Sequence, residues 1–246
     1  MQEIIIIITA FLASGLTFFS GFGLGTILLP VFAIFFPVEI AVALTAIVHF
    51  LNNVFKFFLV GKSIDKSILW RFGIPAIISA FVGAFVLNYL SDLKPFHEYQ
   101  LLGKTFQMTF IKIIIAALLI FFALFDLIPK LKNLKFNKKY LPIGGFISGF
   151  FGGLSGHQGA LRSAFLIRSG LSKESFIATG IAIACLIDVT RLSVYAENIV
   201  KNHETLNWNL VLIATLSAFA GAFLGNKMLK KMTISALQRF VAVALI

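Results

Sequence analysis

The chain has 246 residues, of which 59% are hydrophobic and only 13% are charged. Soluble domains are about 45–50% apolar and about 25% charged, and a globule of this length cannot bury so much apolar side chain. The composition therefore excludes a soluble enzyme, a disordered chain and a collagen-like repeat. The single cysteine, Cys185, excludes an internal disulfide and a cysteine-ligated zinc or iron–sulfur cluster.

The first half of the chain predicts two short helices followed by three membrane spans. No charged residue lies between Glu3 and Glu39, and this run is too long for one span of about 20 residues. Glycines and Pro30 interrupt the run, which indicates a break. We predict short helices over residues 4–20 and 26–36, joined at a glycine tip, and spans over 40–60, 68–90 and 110–128.

The second half restarts the same pattern after a lysine-rich loop at residues 130–139. We predict a second pair of short helices over residues 141–153 and 157–169, again joined at a glycine-rich tip. Spans over 173–196 and 208–228 follow. The last stretch, 233–246, is barely long enough to cross a bilayer.

The two halves also repeat one another in sequence. Residues 79–85 recur at 217–223 with six of seven residues identical. Nearer the start of each half the offset is 134 to 135, and there Glu39, Asn53 and Lys56 correspond to Glu174, Asp188 and Arg191. Such self-similarity indicates a duplicated architecture. We predict one half over 1–137, with a hairpin and three spans, and another over 138–246, with a hairpin, two spans and a short final helix.

The charge distribution predicts how these halves are oriented. A hairpin uses an even number of crossings, so three further segments make each half odd and invert one half relative to the other. Fourteen Lys and Arg residues then fall on one side, including the 130–139 loop, and four on the other. The positive-inside rule makes the first side cytoplasmic. The net charge of +11 therefore reflects membrane orientation, and we expect no nucleic-acid partner.

The glycine tips carry a family resemblance. The first tip reads Ser-Gly-Phe-Gly-Leu-Gly at residues 20–25, with Pro30 close behind, and the second reads Gly-Phe-Phe-Gly-Gly-Leu-Ser-Gly at 149–156. With the order of segments, these motifs resemble the TauE/SafE family of sulfite and organosulfonate exporters. The resemblance implies an all-α polytopic protein of the cell inner membrane, with two inverted-topology repeats that each open with a glycine-tipped broken or re-entrant helical hairpin.

The same resemblance implies a secondary transporter, a permease that exports a small sulfur-containing anion by alternating access, coupled to the proton gradient. A passive anion channel or an importer is the alternative. An intramembrane enzyme has less support, because the spans contain neither an HExxH motif nor a paired carboxylate set. We expect no enzymatic activity, cofactor or metal. The expected partners are the anion and the lipid bilayer, and a homo-oligomer stays open.

The two tips are the predicted substrate site. Transporters with inverted repeats bind substrate near the bilayer midplane, where half-helix N-termini present free N–H groups and partial positive charge to anions. Thr26 and His157 are expected to begin such half-helices. Close helix packing is the alternative role for small residues, and it is the prediction for Ser79, Gly83, Ser217 and Gly221. The predicted tip residues are Gly23, Gly25, Thr26, Gly156, His157, Gln158 and Gly159.

Arg162 is the predicted anion-binding side chain. It lies roughly 10–12 Å inside the cytoplasmic end of its helix by helical rise. An arginine at that depth costs about 2.5–3.5 kcal/mol on insertion scales, which indicates a function. Its planar guanidinium suits a sulfite or sulfonate oxygen pair. The alternatives are snorkelling to the headgroups for Arg162 and hairpin stabilisation for His157 and Gln158.

Two polar helix faces supply the remaining site residues. His49, Asn53 and Lys56 share one face of an apolar helix. Asn53 is assigned to substrate binding, and His49 is a candidate proton carrier or a satisfied buried histidine. In the other half, Asp188 and Arg191 have the i, i+3 spacing of an ion pair. Lys56 and Arg191 are either entry and exit attractors for the anion or interfacial anchors. His49, Lys56, Asp188 and Arg191 are grouped as proton-coupling or gating residues.

Overall fold

The computed structural model describes residues 1–20, 23–101, 104–128, 130, 136–201 and 207–228. Within these ranges the protein is helical apart from one small β-hairpin, which confirms the all-α class. The helices are α1 (Gln2–Ser20), α2 (Leu24–Phe35), α3 (Val38–Val60), α4 (Lys66–Ser91), α5 (Phe110–Leu127), α6 (Leu141–Ser155), α7 (Gly159–Leu166), α8 (Lys173–Lys201) and α9 (Trp208–Met228).

Four of these helices are long and apolar enough to cross a membrane. They have apolar stretches of 20 to 26 residues, and about 20 residues cross a bilayer. The helices α1, α2 and the first part of α5 are apolar but shorter. The four long stretches are Val38–Ser63, Lys66–Ser91, Lys173–Glu197 and Trp208–Lys227.

The helix α4 shows how the fold distributes apolar side chains. Ala76, Ala80 and Ala84 are fully buried, whereas Ile78 is 58% exposed and Phe85 is 61% exposed. A water-soluble protein buries its large apolar residues and surrounds them with polar ones. Over residues 74–85 of this helix the small residues face other helices and most of the large ones face outward, which is the arrangement expected for contact with lipid.

The helix pairs pack in a reciprocal pattern. The first helix, α1, packs against the last described helix, α9, and α4 packs against α6. The central pair, α3 and α8, runs antiparallel: Asn53 contacts Asp188, whereas Asp65, beyond the end of α3, donates its N–H to Thr179 near the start of α8. The helices α4 and α9 also pack against α8 and α3, respectively. Each of these packing arrangements therefore has a counterpart between the corresponding helices of the predicted halves.

Small residues permit the closest of these contacts. A Cβ at Gly145, Gly149 or Gly153 would lie 2.1–2.2 Å from a backbone oxygen of α4. Real Cβ atoms do not approach backbone so closely, so only glycine allows this crossing. A Cβ at Gly83 would meet α6, and one at Gly221 would meet α1, in the same way. The structure thus confirms packing as the role of these two glycines.

The predicted helix boundaries need small corrections. The half-helix α2 begins at Leu24, two residues before Thr26, and α7 begins at Gly159, two residues after His157. Neither Thr26 nor His157 is therefore the first residue of its helix. Helix ends are fixed by local turns rather than by apolar pattern, and shifts of this size are ordinary. The predicted final segment, 233–246, lies outside the described residues.

One element was not predicted at all. Residues His97–Leu101 (β1) and Lys104–Met108 (β2) pair antiparallel, with His97 opposite Met108 and Leu101 opposite Lys104. The hairpin connects α4 to α5, and residues 97–100 are exposed. Two strands outside a core are marginal on their own, and their sequence lacks the long apolar run that marks a membrane span.

Candidate functional site

The two glycine tips lie against each other in the interior. Gly23 precedes α2, and its carbonyl accepts a hydrogen bond from the N–H of Thr26 (3.1 Å). A Cβ placed on Gly25 would lie 3.8 Å from the carbonyl oxygen of Gly156 in the second tip. A Cβ on Gly23 would lie 2.9 Å from Nε2 of His49. The helix breaks of both hairpins therefore meet beside α3.

The second tip is shaped by Gly156, which ends α6 with a left-handed φ of 83°. Glycine adopts this conformation without strain, and a side chain here would also meet Nη1 of Arg191 at 2.7 Å. His157 and Gln158 form the turn before α7 begins at Gly159. Both side chains are buried, at 3% and 0% exposure. The tip thus directs two polar side chains into the protein.

Asp188 of α8 is the centre of a buried polar network. Its Oδ2 lies 2.7 Å from Nδ1 of His49 and accepts a hydrogen bond from Asn53 (3.1 Å). Its Oδ1 accepts hydrogen bonds from Nε of Arg191 (3.0 Å) and from Gln158 (3.3 Å). The ion pair predicted between Asp188 and Arg191 is therefore present. The carboxylate joins α3, α8 and the second tip, far apart in sequence, into one cluster.

Gln158 connects this network to Arg162. While its amide nitrogen donates to Asp188, its Oε1 accepts a hydrogen bond from Nη1 of Arg162 (3.0 Å). Its carbonyl oxygen accepts a hydrogen bond from the hydroxyl of Ser148 (2.9 Å), which fixes the tip to α6. The side-chain amide of Gln158 is thus hydrogen-bonded at both ends, to Arg162 and to Asp188.

A cavity lies beside the first tip. It is bounded by α1, the start of α2, α3, α7 and α8. Two cationic side chains, Lys56 and Arg162, line it, and none of the described residues that line it is acidic. The other polar lining residues are Thr17, His49, Asn53 and Ser163. The cavity is therefore positively charged and equipped with hydrogen-bonding groups.

Lys56 is held in place from the side of α1. Its Nζ lies 5.5 Å above the centre of the Phe18 ring, a cation–π arrangement. With the amide of Asn52 turned so that its neighbours are satisfied, the Asn52 oxygen accepts a hydrogen bond from Nζ over 3.2 Å. Contacts of this kind keep an ammonium group inside the protein and next to the cavity.

The structure contradicts two of the alternative roles considered for the basic residues. Lys56 and Arg191 are 3% and 0% exposed, so neither is an interfacial anchor. Arg162 is 5% exposed and turns to Gln158 and the cavity, so it does not snorkel to the headgroups. Helical rise gives the depth of a side chain but not the direction in which it points, and in all three cases the direction is inward.

The predicted site residues separate into two groups. Gly23, His49, Asn53, Lys56 and Arg162 line the cavity. The rest lie behind it, at the tips or in the Asp188 network; they are Gly25, Thr26, Gly156, His157, Gln158, Gly159, Asp188 and Arg191. Sequence analysis missed Thr17, Ser163 and Gly180 in the lining. The only available signal was that Thr17 lies one turn after Ser14, which corresponds to Ser148 at the repeat offset of 134.

His157 makes its contacts on the other side of the tip. Its ring stacks on Phe122 of α5, with ring centres 5.1 Å apart, and its Nδ1 lies 3.0 Å from the hydroxyl of Ser155. These contacts agree with a role in stabilising the hairpin. Its Nε2 is buried without a hydrogen-bond partner among the described residues.

Metal binding has no support in the described residues, since no group of three or more His, Cys, Asp or Glu side chains is placed to hold an ion there.

Comparison with known proteins gives one result. The model of the family described as sulfite exporter TauE/SafE matches residues 6–246, nearly the whole chain. No curated protein and no solved structure shows a significant match.

Proposed function

Because the chain belongs to the sulfite exporter TauE/SafE family, we propose that it is a secondary transporter that exports a small sulfur-containing anion, of the sulfite or organosulfonate class, from the cytoplasm. The family and the four long apolar helices make it a multi-pass membrane transport protein. The substrate, the direction and the coupling are parts of the proposal. Its expected partners are the anion and the surrounding lipid, and no enzymatic step is involved.

The observation that carries the proposal is the cavity with Lys56 and Arg162 in its wall. Two cations inside a membrane protein are costly unless negative charge compensates them. No acidic side chain lines the cavity among the described residues. A small oxyanion complements this positively charged wall, and its oxygens match the guanidinium fork of Arg162 and the point charge of Lys56. Asn53 adds a neutral amide to the wall, whereas the hydroxyl of Thr17 donates to the carbonyl oxygen of Ala13.

The proposed mechanism is alternating access between halves 1–137 and 138–246. The reciprocal packing of α1 on α9 and of α4 on α6 supports two structurally related halves. Between them, α3 and α8 cross at the contact of His49 with Asp188. Rocking of the halves about this crossing exposes the anion to one face and then to the other.

Proton coupling is assigned to the pair of His49 and Asp188. The two side chains share a short hydrogen bond across the halves, and histidine is the side chain whose charge changes near neutral pH. Gln158 bridges Asp188 to Arg162. Anion binding at Arg162 therefore changes the hydrogen bonding of the carboxylate that holds His49, and by linkage a proton at the pair changes anion affinity.

The proposed location is the cell inner membrane, with the lysine-rich loop at 130–139 in the cytoplasm. The described part of that loop includes Lys130, Lys138 and Lys139, all exposed. Lys62 and Lys66 fall on the same side of the predicted topology, next to the end of α3 that carries Lys56. The cavity therefore opens toward the cytoplasm, where an exporter collects its substrate.

Flux measurements on the purified protein in proteoliposomes test the function. Sulfite and methanesulfonate are loaded on one side, and efflux is followed with and without an imposed proton gradient. We expect saturable flux of at least one anion, accelerated when protons move against it. Flux that ignores the gradient indicates a channel, and flux that runs only inward with protons indicates an importer. Absence of flux for both anions contradicts the proposed substrate class, and chemical conversion of either anion in detergent indicates an enzyme.

A further inference from the structure

A second cluster of buried polar groups lies on the other side of the tips. The repeat offset of 134 to 135 relates Lys56 to Arg191, Gly23 to His157 and Gly180 to Thr45. Lys56, Gly23 and Gly180 all line the cavity. Their counterparts therefore mark where the same site would form in the opposite orientation of the protein. Thr45 and Lys56 lie on either side of the crossing of α3 with α8, so the two locations face opposite ends of α3.

The counterpart residues meet at the glycine tips. A Cβ on Gly156 would lie 2.7 Å from Nη1 of Arg191, and His157 is the next residue in the chain. A Cβ on Gly25 would lie 3.4 Å from Cγ2 of Thr45 and 3.8 Å from the carbonyl oxygen of Gly156. The two tips have only glycine backbone here, and this backbone lies between the cavity and the second cluster.

Each member of the cluster carries a polar atom with no hydrogen-bond partner in the described part of the chain. These atoms are Nη1 of Arg191, Nε2 of His157 and Oγ1 of Thr45. All three residues are more than nine-tenths buried. A buried polar atom without a partner costs free energy, and native proteins contain few of them. Three such atoms around one pair of tips indicate that these residues bind a ligand.

The hydrogen bonds of the neighbours define which ligand fits. Ser155 donates its hydroxyl proton to the carbonyl oxygen of Phe151, so its oxygen accepts from Nδ1–H of His157. Neutral His157 therefore presents an acceptor lone pair at Nε2. Arg191 presents an N–H donor, and Thr45 presents a hydroxyl. Two donors and one acceptor complement an oxyanion that still carries one proton.

We propose that Arg191, His157 and Thr45 form a second anion site, which binds a protonated small oxyanion such as hydrogen sulfite when the protein opens to the face opposite the Lys56–Arg162 cavity. In that site Arg191 and Thr45 bind unprotonated oxygens, and the hydroxyl of the anion donates to Nε2 of His157. The inference rests on the proposed transport function and adds to it a second station for the substrate.

The packing of α2 explains why this site is closed here. The repeat offset relates Arg162 to Leu28, and Leu28, Leu29 and Phe32 of α2 are fully buried. They belong to the apolar core in which α2 packs against α3. In the proposed second site, opening of the opposite face requires α2 to move, as Arg162 and its neighbours close over the first cavity.

Sided transport assays test the site. Inside-out and right-side-out vesicles give the half-saturating concentration of sulfite at each face. Thr45→Val removes only the hydroxyl and keeps the volume, so the protein should fold with an unchanged or higher melting temperature. We expect the half-saturating concentration to rise about tenfold at the face opposite the cavity, the factor for one lost hydrogen bond to an anion, and to stay unchanged at the cavity face.

Two further variants sharpen the test. Thr215→Val is the matched control, because its hydroxyl is also buried without a partner in the described structure, yet it lies on α9, which does not line the cavity. In this control variant, the half-saturating concentration of sulfite should equal the wild-type value at both faces. His157→Phe keeps an aromatic ring against Phe122 and removes Nε2, so it should weaken transport of sulfite but not of methanesulfonate, which carries no proton at neutral pH.

The outcomes separate this site from the transport function itself. If the wild type transports sulfite and Thr45→Val leaves the half-saturating concentration unchanged at both faces, the second site is overturned and the transport function stands. An equal effect of Thr45→Val at both faces also overturns it. Equal loss of sulfite and methanesulfonate transport in His157→Phe overturns the protonated ligand. Absence of wild-type flux overturns the transport function and the second site together.

Discussion

Arg162→Ala is expected to lower the initial rate of sulfite efflux from proteoliposomes about a hundredfold, since removing one member of a buried charge pair costs about 2–5 kcal/mol of binding. Arg162 is the cavity's only guanidinium among the lining residues described, and Nη1 is already positioned by Gln158. The variant removes both the anion's bidentate partner and the link to Asp188. Efflux is measured with a constant proton gradient, so that the wild type and the variant are compared under the same driving force.

Arg168→Ala supplies the control for this measurement. Arg168 lies six residues further along the chain and is exposed, so its removal changes the same charge without touching the cavity. We expect wild-type efflux from it. Efflux at the wild-type rate from Arg162→Ala would place the substrate site outside this cavity.

Asp188→Asn is expected to abolish efflux and to lower the stability of the folded protein. The substitution leaves Arg191 buried without its carboxylate and also disturbs His49, Asn53 and Gln158. Breaking a buried ion pair by removing one partner costs about 3–5 kcal/mol. Thermal unfolding in detergent should show a clear decrease in melting temperature, whereas Asp92→Asn, an exposed carboxylate at the end of α4, should melt like the wild type.

A double variant separates stability from function. Asp188→Asn combined with Arg191→Gln removes both charges of the pair, and we expect it to recover much of the melting temperature because no uncompensated charge remains. Efflux should stay absent, since the double variant no longer has the carboxylate that pairs with His49. A double variant that regained both stability and efflux would show that the Asp188 network is only structural.

The sequence was sufficient for the all-α membrane class because a chain of this composition can bury its apolar side chains only in a bilayer. Uncharged runs interrupted by glycines identified the short helices, although Pro30 lies inside α2 and does not end it. The repeated segment at 79–85 and 217–223 identified helix packing by Gly83 and Gly221. The boundaries of α2 and α7 shifted by two residues because local turns fix them. The hairpin of β1 and β2 escaped prediction because it is exposed and outside the apolar pattern.

The residues of the candidate site could be predicted from the sequence, but the contacts between them could not. A charged residue in a span is unusual enough to be noticed, so Lys56, Arg162 and Asp188 could be named in advance. Which residues they contact depends on helices far apart in the chain; His49 and Asp188 are 139 positions apart. Neutral lining residues such as Ser163 and Gly180 carry no signal in one sequence, because serine and glycine are common in packed membrane helices.

The most direct test of the anion cavity is equilibrium binding of sulfite to the purified protein, measured by titration calorimetry. The wild type should bind sulfite saturably, and the double variant Lys56→Met/Arg162→Ala should bind it about a hundredfold more weakly. Its matched control, Lys62→Met/Arg168→Ala, removes the same charges from exposed positions and should bind like the wild type. Wild-type affinity in Lys56→Met/Arg162→Ala would contradict the assignment of the cavity as the substrate site.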